Sequence, residues 1–212
     1  LVISCPCALA ISTPVSMISG ITGAAKNVVL IKGGNYIEEM AKAKVFVFDK
    51  TGTLTEGRPV VTDVLEVNNY SADEILEIAA SIESLSEHPL ARAVAAKAES
   101  GGMSLKSASE FKAIPGKGVR GNIDGKTYYI GSPVMFSELS IPFPQAKVKE
   151  LEEEGKTAIL VGNQECMGII AIMDKVRDAA PETIRLLKKK GMRVEMLTGD
   201  NERIARAMAN KL

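Results

Sequence analysis

The chain has 212 residues, 46% of them hydrophobic, which is enough apolar material for one or two packed cores and excludes a disordered tail. Its 26 Lys and Arg balance its 26 Asp and Glu, so no global electric field would attract nucleic acid. Three Cys in a chain of this size do not make a disulfide framework. Function must therefore lie in local sites, and no nucleic-acid partner is expected.

The first 25 residues contain no charged side chain, and Lys26 and Lys32 follow them. An apolar run of roughly 20 residues can cross a bilayer as a helix, and basic residues just after it favour a cytoplasmic exit. We therefore predict a transmembrane helix segment over residues 1–32 of an integral membrane protein, with membrane lipid as a partner and residues from about 33 onward in the cytoplasm. Its many Ser and Thr would face other helices or a cavity. The alternative is a buried helix of a soluble core.

The next segment leads into a strand that ends on an acidic residue. Residues 36–44 are predicted as a short helix, and residues 45–48, Val-Phe-Val-Phe, as a buried strand. Asp49 follows directly, and a Gly-bearing turn comes after it. This strand opens a predicted Rossmann-like domain, whose first part we place at residues 33–57.

Residues 58–171 are predicted as an inserted domain of antiparallel strands and helices. Ser71 and Glu74 have the spacing of a capping box ahead of an apolar helical pattern. A second helix is expected over residues 90–99, with Gly101 just past its end. The other predicted elements are strands 111–114, 119–123 and 127–130 with a hairpin turn at Asp124-Gly125, helix 145–154, and hairpin 157–161 with 166–173 around Gly162-Asn163.

The interrupted domain resumes over residues 172–212. Asp178 can cap a helix that carries Pro in its first turn and three Lys in its last turn, a distribution that suits the helix dipole. Strand 193–197, the turn Thr198-Gly199-Asp200 and a helix over residues 202–209 follow. Alternating strands and helices, with polar turns after the strands, predict an α/β fold with a doubly wound parallel sheet.

Two polar turns therefore follow strands, one at Asp49 and one at Thr198-Gly199-Asp200. Ligands bind outside the carboxyl ends of the strands in open parallel sheets, so we expect both turns in one crevice. A carboxylate at a strand tip can attack phosphorus, while N–H groups and hydroxyls of the following turn hold phosphate oxygens. A lone Asp in this place is more often a turn former.

The run from Asp49 to Thr55, Asp-Lys-Thr-Gly-Thr-Leu-Thr, resembles the phosphorylation motif of P-type ATPases, members of the haloacid-dehalogenase-like superfamily. The resemblance implies a Rossmannoid phosphorylation domain with an inserted antiparallel α+β nucleotide-binding domain. It further implies that Asp49 attacks the terminal phosphate of ATP, with Mg²⁺ held at Asp49 and Thr51. Asp174 and Arg177 resemble the hinge motif where the insert rejoins. The implied catalytic residues are Asp49, Lys50, Thr51, Thr198, Gly199 and Asp200.

Thr51 distinguishes a pump from a phosphatase. Related phosphatases usually carry a second Asp two residues after the nucleophile as acid and base, and this chain has Thr51 there. The lack of a proton-transfer group suits a pump, which must keep its phosphoenzyme. A soluble haloacid-dehalogenase-like phosphatase and a catalytically silent nucleotide-binding module are the alternatives from other classes.

Cys5-Pro6-Cys7 resembles the intramembrane metal site of the heavy-metal (type IB) pumps. Thiolates are soft ligands for zinc, cadmium or cuprous ions, and Pro6 removes a helix hydrogen bond and frees a carbonyl. Two inert buried thiols are the structural alternative. Residues 8–14 and 131–133 look more like zinc and cadmium exporters, so we expect ATP-driven export of Zn²⁺ or Cd²⁺, with Pb²⁺ as a further cargo and Cu⁺ export as the alternative.

Residues 86–90, Ser-Glu-His-Pro-Leu, resemble the nucleotide-domain motif of the same subfamily, in which the His orients the adenine end of ATP. The nucleotide-binding residues that the resemblance implies are Glu83, His88, Gly116 and Gly118. A Gly-x-Gly alone is often only a turn, and a His ahead of a helix is often a capping group. Ser132 stands where copper pumps commonly carry Asn, so no nucleotide contact is assigned to it.

The chain begins without Met inside an apolar run and ends directly after an amphipathic segment, which predicts a fragment. By the resemblance, it ends before a phosphate-contacting Lys and the Gly-Asp-Gly motif of the Mg²⁺ site. We therefore expect the isolated chain to bind ATP but scarcely to phosphorylate itself.

Overall fold

A computed structural model describes the backbone of residues 7–212 and the side chains from Ala10 onward. Its helices are α1 (Cys7–Lys26), α2 (Gly34–Lys42), α3 (Ala72–Glu83), α4 (Pro89–Ser100), α5 (Pro133–Glu138), α6 (Gln145–Glu153), α7 (Ala180–Lys189) and α8 (Glu202–Lys211). Its strands are β1 (Val45–Asp49), β2 (Thr55–Glu66), β3 (Ser109–Ile114), β4 (Gly118–Ile123), β5 (Lys126–Gly131), β6 (Thr157–Gly162), β7 (Cys166–Val176) and β8 (Arg193–Leu197). The chain divides into two compact units, one of Leu1–Phe46 with Leu187–Glu195 and the other of Val47–Leu186 with Met196–Leu212.

The first unit contains the helices α1 and α2, which pack against each other. Gly34 lies against Met17, so close that a Cβ at Gly34 would be 3.1 Å from the Met17 Cγ. Within residues 7–212, no helix combines the length and the apolar character that crossing a bilayer requires. The assignment of residues 1–32 to a transmembrane segment stays a prediction.

The strands β1 and β8 pair in a two-stranded sheet. The Arg193 amide donates a hydrogen bond of 2.9 Å to the Lys44 carbonyl at the beginning of this pairing. Asp49 ends β1, and Thr198 follows β8 directly. Both predicted strands are thus present, and a polar turn follows each of them. The prediction that β1 is buried is wrong, because Val45 and Val47 are 44% and 58% exposed.

The second unit contains a six-stranded sheet in the order β2-β7-β6-β5-β4-β3, in which every neighbouring pair is antiparallel. Successive residues of β6 alternate between two hydrophobic clusters, as the two-residue period of a strand requires. Ile159 and Val161 join a cluster with α3 and α4, whereas Ala158 and Leu160 join one with α5 and α6. Both faces of the sheet are therefore covered by helices.

Three local signals of the sequence are confirmed at atomic detail. The Ser71 hydroxyl accepts a hydrogen bond from the Glu74 amide at 3.3 Å, and the Glu74 carboxylate accepts one from the Ser71 amide at 3.0 Å. Asp124 and Gly125 both have positive φ, 52° and 77°, as a tight hairpin turn requires. Gly101 caps the C-terminus of α4.

The structure also differs from the predictions at four places. The strand β2 and the short helix α5 were not predicted. The turn after β6 uses residues 163–165, and Gly162 stays in the strand, paired with Cys166. The predicted cap of α7 by Asp178 is not observed. The Asp178 carboxylate instead pairs with the Lys175 ammonium at 3.4 Å.

Candidate functional site

A tight loop, residues 50–54, follows β1 and shapes the surroundings of Asp49. Thr51 has extended backbone angles (φ −77°, ψ 122°), and Gly52 turns the chain back with φ 76°, a left-handed conformation that a residue without Cβ adopts readily. A Cβ at Gly57 would lie 3.1 Å from the Gly52 Cα, so the loop also folds tightly on itself. Asp49 is exposed, and its carboxylate is accessible to a ligand.

Thr55 and Asp174 fasten this loop where the chain enters and leaves the six-stranded sheet. Thr55 is fully buried, and its hydroxyl donates to Asp174 Oδ2 at 2.6 Å and accepts from the Gly52 amide at 3.2 Å. The amides of Gly57 and Arg58 donate to the Asp174 carboxylate, each at 3.1 Å. Hydrogen bonds to a charged carboxylate are among the stronger ones in proteins, so this cluster fixes the loop rigidly.

Arg177 adds two contacts to the same loop. Its Nη2 donates to the Gly52 carbonyl at 3.1 Å, and its amide donates to the Leu54 carbonyl at 2.9 Å. Asp174 and Arg177 were assigned to a hinge from the sequence alone. The structure shows that both residues hold the loop after Asp49, although more than 115 residues separate them from it in the chain.

Lys50 joins the two polar turns that the sequence predicts. Its side chain is largely buried, and its ammonium forms an ion pair with the Asp200 carboxylate. The Thr198 hydroxyl donates to Asp200 Oδ2 at 2.8 Å and accepts from the Asp200 amide at 3.1 Å. The predicted meeting of the turns after β1 and β8 is therefore observed, with Gly199 between the two paired side chains.

This end of the strand pair offers the groups that phosphate chemistry needs. Asp49 is an exposed carboxylate, and Lys50 is a cation fixed by its ion pair. Among the described residues, no three His, Cys, Asp or Glu side chains cluster as a metal site. Mg²⁺ is usually held by one or two carboxylates together with substrate phosphates, so Asp49 and Thr51 fit such an ion when a nucleotide is present.

Glu83 lies at the C-terminal end of α3 and is 7% exposed. Burial without a compensating charge raises the pKa of its carboxyl from 4.5 to about 7. Its neighbour Ile82 packs over Gly121 of β4, where a Cβ would lie 3.0 Å from the Ile82 side chain. A buried carboxyl with a displaced pKa is a functional-site candidate on physical grounds.

His88 caps α4, because its Nδ1 accepts a hydrogen bond of 3.3 Å from the Leu90 amide, and Pro89 follows at the first helical position. This bond assigns the ring proton of a neutral His88 to Nε2. The side chain is exposed, so the Nε2–H group is free to donate to a ligand. Capping and ligand binding are thus compatible at this residue.

The two candidate glycines have clear conformational roles. Gly116 has φ 71° in the turn between β3 and β4. A Cβ at Gly118 would lie 2.2 Å from the Ile130 carbonyl, so only Gly fits beside β5. Ser132, to which no nucleotide contact is assigned, accepts a hydrogen bond from the Met135 amide at 3.4 Å and thereby caps α5.

A surface cavity of about 780 Å³ lies elsewhere in the second unit, between β2, the first turn of α3 and the end of α4. None of Glu83, His88, Gly116 and Gly118 lines it. The four candidate nucleotide residues lie outside this cavity, at the end of α3, at the start of α4 and around the β3–β4 turn.

The three cysteines fall into two groups. Cys5 and the side chain of Cys7 lie outside the described residues, so the predicted ligand pair stays a prediction. Cys166 is buried in the sheet, and burial raises the pKa of its thiol to about 11. Its thiol is therefore an inert core group at neutral pH.

These observations agree with the known proteins that the chain resembles. The family of haloacid dehalogenase-like hydrolases matches residues 43–212. The chain belongs to this family.

Individual relatives of the chain belong to a more specific class of protein within this family. The chain is 47% identical over 218 residues to a probable cadmium-transporting ATPase of Staphylococcus aureus, covering 98% of this chain and 30% of the relative. It is 41% identical to a copper-exporting P-type ATPase of Staphylococcus saprophyticus, covering 100% of this chain and 26% of the relative. The chain thus spans about a third or less of the length of these relatives, and the resemblance to heavy-metal P-type ATPases is confirmed.

Solved structures support the fold. The crystal structure of a zinc-transporting PIB-type ATPase in the E2.Pi state matches with a TM-score of 0.72 and 36% identity, covering 98% of this chain and 34% of that one. The catalytic domain of the CPx-ATPase CopB-B matches with a TM-score of 0.61 and 30% identity, covering 86% of this chain and 63% of that one. The predicted phosphorylation domain with an inserted nucleotide-binding domain is therefore confirmed as the fold class.

Proposed function

We propose that the chain is the phosphorylation and nucleotide-binding part of an ATP-driven heavy-metal exporter that forms an aspartyl phosphate on Asp49. The observation that carries this proposal is the junction of the two polar turns, where Lys50 pairs with Asp200 next to the exposed Asp49. The domain limits that we propose are 33–57 and 172–212 for phosphorylation and 58–171 for nucleotide binding. We further propose that residues 1–32 lie in the cell membrane and that the rest is cytoplasmic.

In the proposed reaction, a carboxylate oxygen of Asp49 attacks the terminal phosphorus of ATP, and ADP leaves. Lys50 and the loop amides stabilise negative charge on the phosphoryl oxygens, with Thr198 and Asp200 holding Lys50 in place. Mg²⁺ at Asp49 and Thr51 would supply further charge neutralisation. Because Thr51 offers no carboxyl group for proton transfer, the acyl phosphate persists, which a pump requires and a phosphatase does not.

Nucleotide binding is proposed for the end of α3, the start of α4 and the β3–β4 turn. When it is protonated, the Glu83 carboxyl can donate a hydrogen bond to a ring nitrogen, and the exposed Nε2–H of His88 can donate to a second acceptor. At Gly116 the space beside the backbone is open, so a ligand can approach it there, and Gly118 allows the close packing of the turn against β5. These groups suit a purine base better than a phosphate, because they add no fixed positive charge.

The cargo that we propose is Zn²⁺ or Cd²⁺, with Cys5 and Cys7 as ligands. The cadmium-transporting relatives are 43–47% identical to the chain, and the copper-exporting or copper-transporting ones are 39–42% identical, so sequence identity favours Zn²⁺ or Cd²⁺ by a small margin. Cu⁺ is the second candidate, because thiolates are also ligands for Cu⁺ and the copper-exporting relative covers the same residues.

The experiment is metal-by-metal stimulation of ATP hydrolysis by the full-length protein in membranes. We expect Zn²⁺ and Cd²⁺ to stimulate the wild type, and a Cys5→Ala, Cys7→Ala variant to lose the stimulation while it keeps ATP binding. Cys166→Ala is the matched control, since that thiol is buried in the sheet and should leave the metal response unchanged. Stimulation by Cu⁺ alone would replace the Zn²⁺/Cd²⁺ assignment, and no stimulation by any of the three ions would overturn metal export.

A further inference from the structure

Glu152 is a buried carboxylate on α6, a helix whose other acidic side chains are exposed. Its neighbours on α6, Glu150 and Glu153, have side chains 57% and 60% exposed. Glu152 is only 4% exposed. A charged group at that depth is tolerated only when its oxygens are paired, so its partners identify what the residue does.

Both oxygens of Glu152 are bound by the beginning of α8. Oε1 accepts a hydrogen bond of 2.6 Å from Asn201 Nδ2, and Oε2 accepts one of 2.7 Å from Arg203 Nη1. The carboxylate also lies by the N-terminal end of a helix, where the helix dipole favours negative charge. Glu152 therefore ties the helix α6, between β5 and β6, to the helix that follows the Thr198–Asp200 turn.

The other end of α8 is held by the same part of α6. Lys211 Nζ donates a hydrogen bond of 2.6 Å to the Glu154 carbonyl, and Gly155 lies beside Lys211 and Ala207. Because α6 and the residues directly after it hold α8 at its start and at its end, they determine the position of α8.

The contact at Glu152 continues into the candidate phosphorylation site. Asn201, which binds Glu152, also caps α8 by accepting a 3.1 Å hydrogen bond from the Ile204 amide. Asp200 comes directly before Asn201 and carries the ion pair with Lys50, the residue next to Asp49. An unbroken series of contacts and peptide bonds thus leads from Glu152 through Asn201 and Asp200 to Lys50.

We propose that Glu152 is a positioning residue for phosphoryl transfer, which fixes the start of α8 and thereby the Thr198–Asp200 turn against Lys50. The proposal rests on the phosphoryl-transfer function proposed above. Glu152→Gln should fold, because the Arg203 side chain is 56% exposed and returns to water when its partner loses its charge. The effect should therefore be local.

The first test is hydrogen–deuterium exchange of the 212-residue chain. In Glu152→Gln we expect the Asp200 and Ile204 amides to exchange about tenfold faster, because a Gln side chain has one acceptor oxygen for the two donors Asn201 and Arg203 and holds the start of α8 less firmly. The α3 amides should keep their rates. Glu153→Gln is the matched control, because its exposed side chain faces only Lys149. Unchanged exchange at Asp200 and Ile204, or an equal change in Glu153→Gln, overturns the tie.

The second test is phosphoenzyme formation by the full-length protein. Glu152→Gln should lower the maximal rate about threefold to tenfold and leave the KM for ATP within twofold, because the nucleotide contacts are elsewhere. Arg203→Ala should lower the maximal rate in the same way. The double variant should be little slower than either single variant, because the two residues form one contact. An unchanged maximal rate, or a raised KM alone, overturns the positioning role. A wild type that forms no phosphoenzyme instead refutes the proposed function, while the exchange experiment still decides whether Glu152 holds α8.

Discussion

The six-stranded sheet and the β1–β8 strand pair are stabilised by different interactions. In the sheet, the central strand residues Ile130, Ile169 and Ile170 are fully buried between two layers of helices. In the strand pair, Val47 and Leu197 are 58% and 65% exposed, and the order comes from polar contacts around Thr55, Asp174 and the Lys50–Asp200 ion pair. Hydrophobic burial therefore stabilises the nucleotide-binding fold, whereas hydrogen bonds and charges fix the conformation of the phosphorylation turns.

The largest expected difference between the two regions is in the cost of removing an apolar side chain. Ile170→Ala should lower the free energy of unfolding by about 3 kcal/mol, because it leaves a cavity in a fully buried site. Val47→Ala should cost less than about 0.5 kcal/mol, because the side chain is mostly in water. Urea unfolding of the 212-residue chain measures both. Equal losses in the free energy of unfolding would contradict the view that the two regions are stabilised differently.

A second difference concerns pH, because the sheet region contains a buried acid. The raised pKa of Glu83 means that the folded chain binds more protons than the unfolded one between pH 4.5 and about 7. Stability should therefore fall as pH rises through that window, by an amount on the order of 3 kcal/mol, and level off above it.

Glu83→Gln should remove this decline and make the chain more stable than the wild type at pH 8. The measurement is urea unfolding from pH 5 to 8. Glu87→Gln, an exposed acid in the neighbouring loop, is the control and should keep the wild-type profile. If Glu83→Gln retained the wild-type decline, the buried carboxyl would not be its source.

The smallest expected stability effect separates the two roles of His88. His88→Ala removes the cap of α4 and should cost about 1 kcal/mol, whereas Asn is a good capping residue and His88→Asn should cost almost nothing. Both variants should bind ATP about tenfold more weakly, since neither has the Nε2–H group. Calorimetry with ATP decides: wild-type affinity in His88→Asn would show that His88 is only a cap.

Most of the architecture could be predicted from local signals. The Ser71 capping box, the Asp124-Gly125 turn and the strand before Asp49 each depend on a few adjacent residues, so periodicity and turn chemistry were sufficient. The strand β2 was not predicted because Gly57 and Pro59 interrupt its pattern. The sheet tolerates these residues because β2 is an edge strand, paired with β7, and has two register shifts.

The sequence was sufficient to name candidate residues of the site, but it did not predict most of the contacts between them. The motif order predicted that the turns after β1 and β8 lie together, and the Lys50–Asp200 ion pair joins these two turns. The three hydrogen bonds that Asp174 accepts were beyond sequence reasoning, because they join residues more than 115 positions apart. Glu152 was hidden for the same reason: in sequence it belongs to a helix of exposed acids, and only the packing of α8 reveals its burial.

The central claim, that Asp49 is the phosphorylated residue, is tested most directly by labelling the full-length protein with ATP carrying a radioactive terminal phosphate. The proposal predicts an acid-stable label in the wild type that hydroxylamine removes, as it does from acyl phosphates. In Asp49→Asn the label should be absent, although ATP binding and thermal unfolding stay close to wild type because the side chain is exposed. A label that persists in Asp49→Asn, or a wild-type label that resists hydroxylamine, would contradict the assignment of Asp49.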